Sequence, residues 1–173
     1  MPVLGTEHTM RECAADCAVQ IAAIVLLIGL LARDTLHGQL LSLVALVLTG
    51  LFVWTFIEYC VHRFILHGLR PWSSWHTQHH GHPLSHIFAP TLYIATLFAA
   101  LIFVPVLWLG GLWIACGLTL GILGGHLLYS LTHLAIHHCT ARGPWLRQRQ
   151  LWHIEHHRQG ESKGCQYGVT MEF

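Results

Sequence analysis

The sequence predicts an all-α fold: an integral membrane four-helix bundle that carries a cytoplasmic, histidine-rich helical cap. The first observation is composition, because 54% of the 173 residues are hydrophobic and only 10% are charged, too few for the surface of a soluble domain. The second is a series of four apolar runs, each near the ~20 residues that a helix needs to cross a bilayer. The third is an excess of histidine, 16 residues, gathered near the ends of those runs.

The four apolar runs predict the spans of a single domain that covers residues 1–173. The first run lacks the basic N-terminal region and the small-residue cleavage site of a signal peptide, so we expect it to be a membrane span. Short connections join the first span to the second and the third to the fourth. The predicted spans lie at about 17–33, 39–60, 87–109 and 111–135.

The positive residues set the expected orientation. In a four-span topology only Arg33, of nine Lys and Arg, falls on the outer side, and the positive-inside rule assigns the opposite side to the cytoplasm. Both termini and the 62–86 loop are therefore expected in the cytoplasm, at a bacterial inner membrane or the endoplasmic reticulum. The net charge of +1, with no long basic tract, argues against nucleic acid as a partner.

Most of the histidines lie at or beyond the cytoplasmic ends of the predicted spans. The exceptions are His8, His37 and His126. At ~1.5 Å per residue, His62 lies ~35 Å from the start of the second span and His133 ~33 Å from the start of the fourth, just past a ~30 Å hydrocarbon core. Two helices from different parts of the chain therefore bring imidazoles to the same depth.

Ten of these histidines form four groups whose spacings suit a shared site. Residues at i, i+3 and i+4 lie on one helix face, so the members of each H-x-x-H-H triad should converge, as should His133 and His137. His62 and His67 are about 140° apart around an ideal helix, so we expect the helix to end or bulge there, with Gly68 as its stop. The ten are His62, His67, His76, His79, His80, His133, His137, His153, His156 and His157.

Ten imidazoles at one depth indicate metal binding. A lone interfacial histidine is usually only polar, and clustered histidines can instead sense pH. Ten together would repel one another on protonation and would be costly to desolvate, whereas bound metal holds them neutral. A structural zinc needs about four ligands, so ten suggest two ions of higher coordination number. Nitrogen ligands alone leave iron, zinc, copper and nickel open.

Glu58 and three histidines are candidates for supporting this site. Glu58 lies one turn before His62, so it should orient a ligating histidine or pair with Arg63, unless it is simply an interfacial carboxylate. Three histidines lie beside the clusters but outside their spacing, as rim residues or as exposed polar residues. They are His82, His86 and His138.

A stripe on the fourth span is a candidate substrate groove. His126, Ser130, His133 and His137 share one helix face, and His126 lies deeper in the membrane than any expected ligand. His126 could also be a single polar residue bonded to a neighbouring helix. The small residues just above it either admit a neighbouring helix or leave room for an acyl chain, and they are Gly121, Gly124 and Gly125.

Four segments resemble the fatty acid hydroxylase and sterol desaturase superfamily, and together they cover roughly residues 52–170. They are WTFIEYCVHRFILHG, HTQHHGHPLSHIFAP, YSLTHLAIHH and WHIEHHRQGESKGCQYGVT. The most similar branch is that of the fatty acid 2-hydroxylases, which has similar E-Y-x-x-H-R-F, H-H-x-x-P and G-x-G-V-[ST] elements. The resemblance implies two iron ions on the ten histidines, replaceable by zinc in purified protein, with O2 as co-substrate and a lipid substrate from the bilayer. Ser130 departs from this pattern, because members often have an aspartate there.

The resemblance implies an oxidoreductase that hydroxylates a lipid, with a fatty acyl chain as the first candidate. Breaking an unactivated C–H bond needs a cofactor-borne oxidant. The sequence has no fused cytochrome b5, so the expected electron donor is a separate protein, either cytochrome b5-like or a ferredoxin with its reductase. Carotenoid or sterol oxidation is the alternative, since KGCQYG also resembles the carotenoid ring hydroxylases. A non-catalytic or metal-transporting protein is an alternative of another class, which the lack of a line of ionisable residues across the spans disfavours.

Overall fold

Helices form most of the computed structural model, which describes residues 7–8, 10–34, 39–84, 86–87, 91–159 and 167–171. A π-helical turn, Val61–Leu66, continues α2, and a second one, Ala99–Phe103, joins α4 to α5. The all-helical prediction omitted one short antiparallel strand pair, in which Glu7 lies opposite Ile87. In chain order the elements are β1 (Glu7–His8), α1 (Met10–Asp34), α2 (Leu40–Cys60), α3 (Trp72–Gly81), β2 (His86–Ile87), α4 (Thr91–Phe98), α5 (Val104–His138) and α6 (Pro144–Gln159).

The chain reverses direction at Gly111, inside α5. Gly111 has φ 79° and ψ 173°, a backbone conformation that only glycine adopts readily. The rings of Phe98 and His126, on either side of it, have centroids 5.1 Å apart, whereas a straight helix would separate these residues by ~42 Å. The helical run before Gly111 and the run after it therefore lie antiparallel to each other.

Three helical runs are long and apolar enough to cross a membrane: Ala14–Arg33, Leu40–Leu66 and Ile94–His138. The third has 45 residues and would extend ~68 Å if straight, about twice the ~30 Å of a hydrocarbon core. Because this run folds back at Gly111, it supplies two apolar arms. Of the predicted spans 87–109 and 111–135, residues 94–109 and 111–135 lie within this run, whereas Ile87 belongs to β2 and residues 88–90 lie outside the described part of the chain.

The described residues within 14–54 and 89–127 form one compact unit, the apolar unit. A small buried core holds its helices together and consists of Leu27, Leu31 and Cys116. Many of its large apolar side chains face outwards, and Trp108, which is 91% exposed, is an extreme case. Apolar patches of this extent on a soluble protein are rare, so the outer face of the unit is suited to lipid.

Helix α2 packs closely against the side of α5 that carries Gly121 and Gly125. A Cβ at Gly121 would collide with the carbonyl oxygen of Val47 and lie 2.9 Å from Gly50 Cα, and a Cβ at Gly125 would lie 2.5 Å from the Trp54 ring. At Gly121 and Gly125 the structure therefore shows a neighbouring helix, which is one of the two alternatives for these glycines. Small residues at such a crossing allow two backbones to pack closely.

The described residues within 55–88 and 128–171, together with β1, form a second compact unit, the histidine unit. Both H-x-x-H-H triads lie on its short helices, the first on α3 and the second on α6. Both helices begin at a proline: Pro71 directly precedes α3, and Pro144 is the first residue of α6. This unit contains all ten histidines of the four groups.

Candidate metal centre

The π-helical turn at the end of α2 brings His62 and His67 together. The backbone N–H of His67 donates to the carbonyl oxygen of His62 at 3.3 Å, a bond across five residues that widens the turn. As a result the two rings stack with centroids 5.3 Å apart, although an ideal α-helix would point them about 140° apart. The predicted bulge at this position is therefore confirmed.

The histidines gather into two clusters, and each triad is divided between them. Within each cluster, one ring nitrogen from every member lies within 4.8 Å of the others. The Nε2 of His157 lies 3.0 Å from that of His153, which places His157 beside cluster 2. Cluster 1 consists of His62, His67, His76, His80 and His156, and cluster 2 of His79, His133, His137 and His153.

Ring nitrogens within each cluster crowd together more than hydrogen bonding explains. In cluster 1, the Nε2 of His76 lies 3.0 Å from that of His62, 3.1 Å from that of His67 and 3.0 Å from that of His80. One ring nitrogen carries at most one hydrogen, so it cannot make three such bonds at once. A cation at the common centre accounts for all of these contacts.

The distances fit ligands on one ion. In cluster 2 the Nε2 atoms of His133, His137 and His153 form a triangle with sides of 3.1, 2.9 and 3.2 Å. Imidazole nitrogens bind a first-row metal at ~2.1 Å, so neighbouring ligands of an octahedral ion lie ~3.0 Å apart. The triangle has the size of one octahedral face. The residues present therefore fit a metal ion in cluster 2, as the His76 contacts do in cluster 1.

Burial keeps these imidazoles in the neutral form that binds metal. Desolvation, reinforced by the neighbouring histidines, lowers the pKa of His79 and of His156 to about 2 and that of His153 well below its usual range. His79 is buried, and neither of its ring nitrogens has a hydrogen-bond partner among the described residues. Burying a neutral imidazole whose nitrogens make no hydrogen bonds costs free energy, unless one of those nitrogens binds a metal ion.

Glu58 binds residues near the C-terminus. The sequence predicted that it would orient a ligating histidine or pair with Arg63, but among the described residues its hydrogen bonds are to other groups. Its carboxylate accepts hydrogen bonds from the backbone N–H groups of Val169 and Thr170. Arg63 instead bonds to the hydroxyl of Tyr59 and stacks over that ring. Among the described residues no hydrogen bond to a histidine is recorded for Glu58, so its link to the metal centre runs through Val169 and Thr170.

Comparison with known proteins assigns the chain to a family. The family model for fatty acid hydroxylase matches residues 47–173, which include both clusters. The chain belongs to the fatty acid hydroxylase family. The four sequence segments that resembled this superfamily are thus part of a match that covers most of the chain.

The chain has curated relatives in plants and animals. It is 28% identical to one dihydroceramide fatty acyl 2-hydroxylase of Arabidopsis thaliana, over 88% of this chain and 68% of that protein. It is 33% identical to a second one, over 70% of this chain and 54% of that protein. It is also 30% identical to the fatty acid 2-hydroxylase of Mus musculus, over 73% and 37% of the two chains. The chain thus spans about half to two thirds of the plant relatives and a smaller part of the mouse protein.

A solved structure shares the fold. It is that of full-length scs7p with only the hydroxylase domain visible, and the chain matches it with a TM-score of 0.69 at 24% identity. The match covers 90% of this chain and 61% of that one. At this identity the similarity supports the fold.

The other candidate side chains that the structure describes lie outside both clusters. His82 and His138 are exposed at the ends of α3 and α5, and Ser130 is half-buried on α5. His126 belongs to the apolar unit, where its Nδ1 lies 2.9 Å from the Oε1 of Gln20 on α1. The backbone of His86 forms part of β2, but its side chain lies outside the described part of the structure.

Three residues at the site were not singled out from the sequence: Tyr167, Val169 and Thr170. The ring of Tyr167 lies against His67, with centroids 5.4 Å apart. These residues are more than 100 positions from α2, so no local periodicity links them to it. The one signal for them is the resemblance of residues 166–170, which read QYGVT, to the G-x-G-V-[ST] element of the family.

Proposed function

We propose that this member of the family is a membrane di-iron oxygenase that uses O2 and two electrons to hydroxylate a fatty acyl chain. The observation that supports it is the presence of two adjacent histidine clusters with ring nitrogens at ligand-to-ligand distances. The named relatives act on fatty acyl chains or are fatty acid 2-hydroxylases, which favours an acyl substrate over a carotenoid or a sterol.

When bound, two iron ions on nitrogen ligands supply the oxidising power that side chains lack. The chain itself holds its imidazoles neutral by burial, so that metal binding needs little proton release. The α3 and α6 triads each contribute to both clusters, and this sharing fixes the distance between the two sites. The half-buried members, such as His80 and His157, leave the site less enclosed on their side.

We propose four membrane spans, with the termini and the histidine unit on the cytoplasmic side. The two arms on either side of Gly111 support the count, and the asymmetry of Lys and Arg supports the orientation. On that side the centre can receive electrons from a separate water-soluble or membrane-bound donor, cytochrome b5-like or a ferredoxin with its reductase. The acyl chain then enters from the bilayer.

The experiment follows labelled oxygen into lipid. Cells that express the full chain are grown under ¹⁸O2, and their fatty acids are analysed by mass spectrometry. We expect hydroxylated acyl chains with one ¹⁸O atom per hydroxyl group in cells with the wild type. His156→Ala should abolish them, and His82→Ala, which replaces an exposed histidine outside both clusters, should not. Hydroxylation that persists in His156→Ala, or that carries no label, would contradict the proposal.

A further inference from the structure

One buried carboxylate anchors residues 167–171, the C-terminal segment, to α2. Glu58 is 2% exposed, and its Oε1 accepts the N–H groups of Val169 at 2.6 Å and Thr170 at 2.9 Å. Its Oε2 accepts the hydroxyl of Thr170. A buried carboxylate is costly unless hydrogen bonds satisfy it, and bonds to a charged acceptor are stronger than neutral ones. Three donors from two adjacent residues therefore fix this segment in place.

The same segment reaches a ligand of cluster 1 through its backbone. The carbonyl oxygen of Tyr167 lies 2.6 Å from the Nδ1 of His62. A carbonyl only accepts hydrogen bonds, so Nδ1 carries the hydrogen and Nε2 keeps a free lone pair. That Nε2 is the atom 3.0 Å from the Nε2 of His76. The Tyr167 carbonyl thus selects the tautomer of His62 that can bind metal within cluster 1.

The side chain of Tyr167 also lies on cluster 1. Its ring centroid is 5.7 Å from that of His62, 5.4 Å from that of His67 and 5.6 Å from that of His156. Arg63 in turn places its guanidinium 5.6 Å from the Tyr167 ring centroid. Both the backbone and the ring of this residue therefore act on the same cluster.

We propose that Glu58 is a positioning residue for cluster 1 that acts through the C-terminal segment. By binding Val169 and Thr170, it holds the Tyr167 carbonyl on His62 and so strengthens metal binding at cluster 1. The Tyr167 contacts of this segment are to His62, His67 and His156, which all belong to cluster 1. The inference rests on the proposed function in one respect, that both clusters hold metal.

The test measures the two binding steps separately in the purified full chain. Metal-free protein is titrated with Co²⁺, whose visible absorption reports its coordination. Thr170→Val removes one donor to Glu58, and Glu58→Gln removes the charge. Each should weaken one of the two binding constants by about 10–100-fold, the usual effect of losing an outer partner of a ligand, and leave the other constant unchanged. Thr170→Ser, which keeps the hydroxyl, should bind Co²⁺ as the wild type does.

A matched control and a double variant separate positioning from general destabilisation. Thr119 is buried in the apolar unit and its hydroxyl has no hydrogen-bond partner among the described residues, so Thr119→Val should leave both constants unchanged. His62→Ala should weaken the same constant as Thr170→Val, and the double variant should lose no more than His62→Ala alone. Equal loss of both constants, additive losses, or wild-type constants in both Thr170→Val and Glu58→Gln would overturn the inference.

The outcomes of the Co²⁺ titration distinguish a failure of the positioning role from a failure of the proposed function. The expected Co²⁺ pattern in a protein that hydroxylates no lipid would contradict the proposed function and support the positioning role. A wild type that binds no Co²⁺ would overturn both. Normal hydroxylation together with unchanged constants in the variants would overturn the positioning role alone.

Discussion

At the residue scale, adjacent histidines of α3 serve different clusters. His79 belongs to cluster 2, whereas His76 and His80 belong to cluster 1. The spacing i, i+3, i+4 placed the three on one helix face, and this much could be predicted from the sequence. Which of two centres each one joins depends on the helices that face α3 across the histidine unit, and no local pattern contains that information.

This division predicts how metal is lost when histidines of α3 are removed in pairs. His79→Ala/His80→Ala removes one member of each cluster and should lower the binding of both ions. His76→Ala/His80→Ala removes two members of cluster 1 and should lower the binding of one ion only. Metal per polypeptide, measured after equilibration with a chelator, checks this. Equal losses in the two double variants would contradict the division.

The lowered pKa values of these residues predict that acid destabilises the metal-free protein. Burial lowers the pKa of His80 to about 4 and those of His79 and His156 to about 2, against ~6.5 in an unfolded chain. The unfolded state therefore binds more protons between these values. The free energy of unfolding therefore has its highest value above about pH 6.5 and falls progressively as the pH drops towards about 2.

Thermal unfolding of the metal-free protein in detergent measures this dependence. The midpoint should fall steadily from pH 7.5 to pH 5. A midpoint that stays constant or rises over this range would show that the histidines are not buried in the neutral form.

At the element scale, the helix ends and breaks decide where the histidines lie. The five-residue spacing of His62 and His67 predicted a bulge, because an unbroken α-helix would separate the two rings. The apolar runs likewise predicted four helical segments. The strand pair of β1 and β2 was not predicted, because two-residue strands are too short for an alternating pattern to be recognised.

The break at Gly111 predicts a selective effect of alanine. Gly111→Ala should destabilise the protein by about 1–3 kcal/mol, because φ 79° with ψ 173° is strained for any residue with a Cβ. A Cβ there would contact nothing within 4 Å, so the effect isolates backbone conformation. Gly29→Ala is the matched control, since a Cβ at this helical position also contacts nothing within 4 Å. Thermal unfolding should show a loss in the first variant and none in the second, and equal midpoints would contradict the assigned break.

The packing of α2 on α5 changes what Gly121 is expected to do. If Gly121 lined a groove for an acyl chain, Gly121→Leu would shorten the accepted chain or block turnover and leave bound metal intact. Since a Cβ at Gly121 would collide with the Val47 carbonyl, we instead expect Gly121→Leu to separate the helices and lower the yield of folded protein. Size-exclusion chromatography in detergent measures that yield. A fully folded variant with an altered chain-length preference would restore the groove.

At the scale of the whole molecule, the sequence predicted two regions of different character. The apolar runs correspond to the apolar unit, and the ten histidines all lie in the histidine unit. The link from Glu58 to the C-terminal segment was beyond the sequence, because its partners are more than 100 residues apart and their bonds are to backbone groups. Such contacts leave no mark on hydrophobic periodicity or ligand spacing.

The proposed chemistry requires that the ten histidines hold two metal ions, and metal analysis of the intact protein measures whether they do. The full chain is purified without oxygen or added metal, and iron per polypeptide is measured by inductively coupled plasma mass spectrometry. The two clusters predict a value near two, falling well below one when His80→Ala and His153→Ala remove a member of each cluster. A wild-type protein that holds no metal, or a double variant that still holds two ions, would contradict this account.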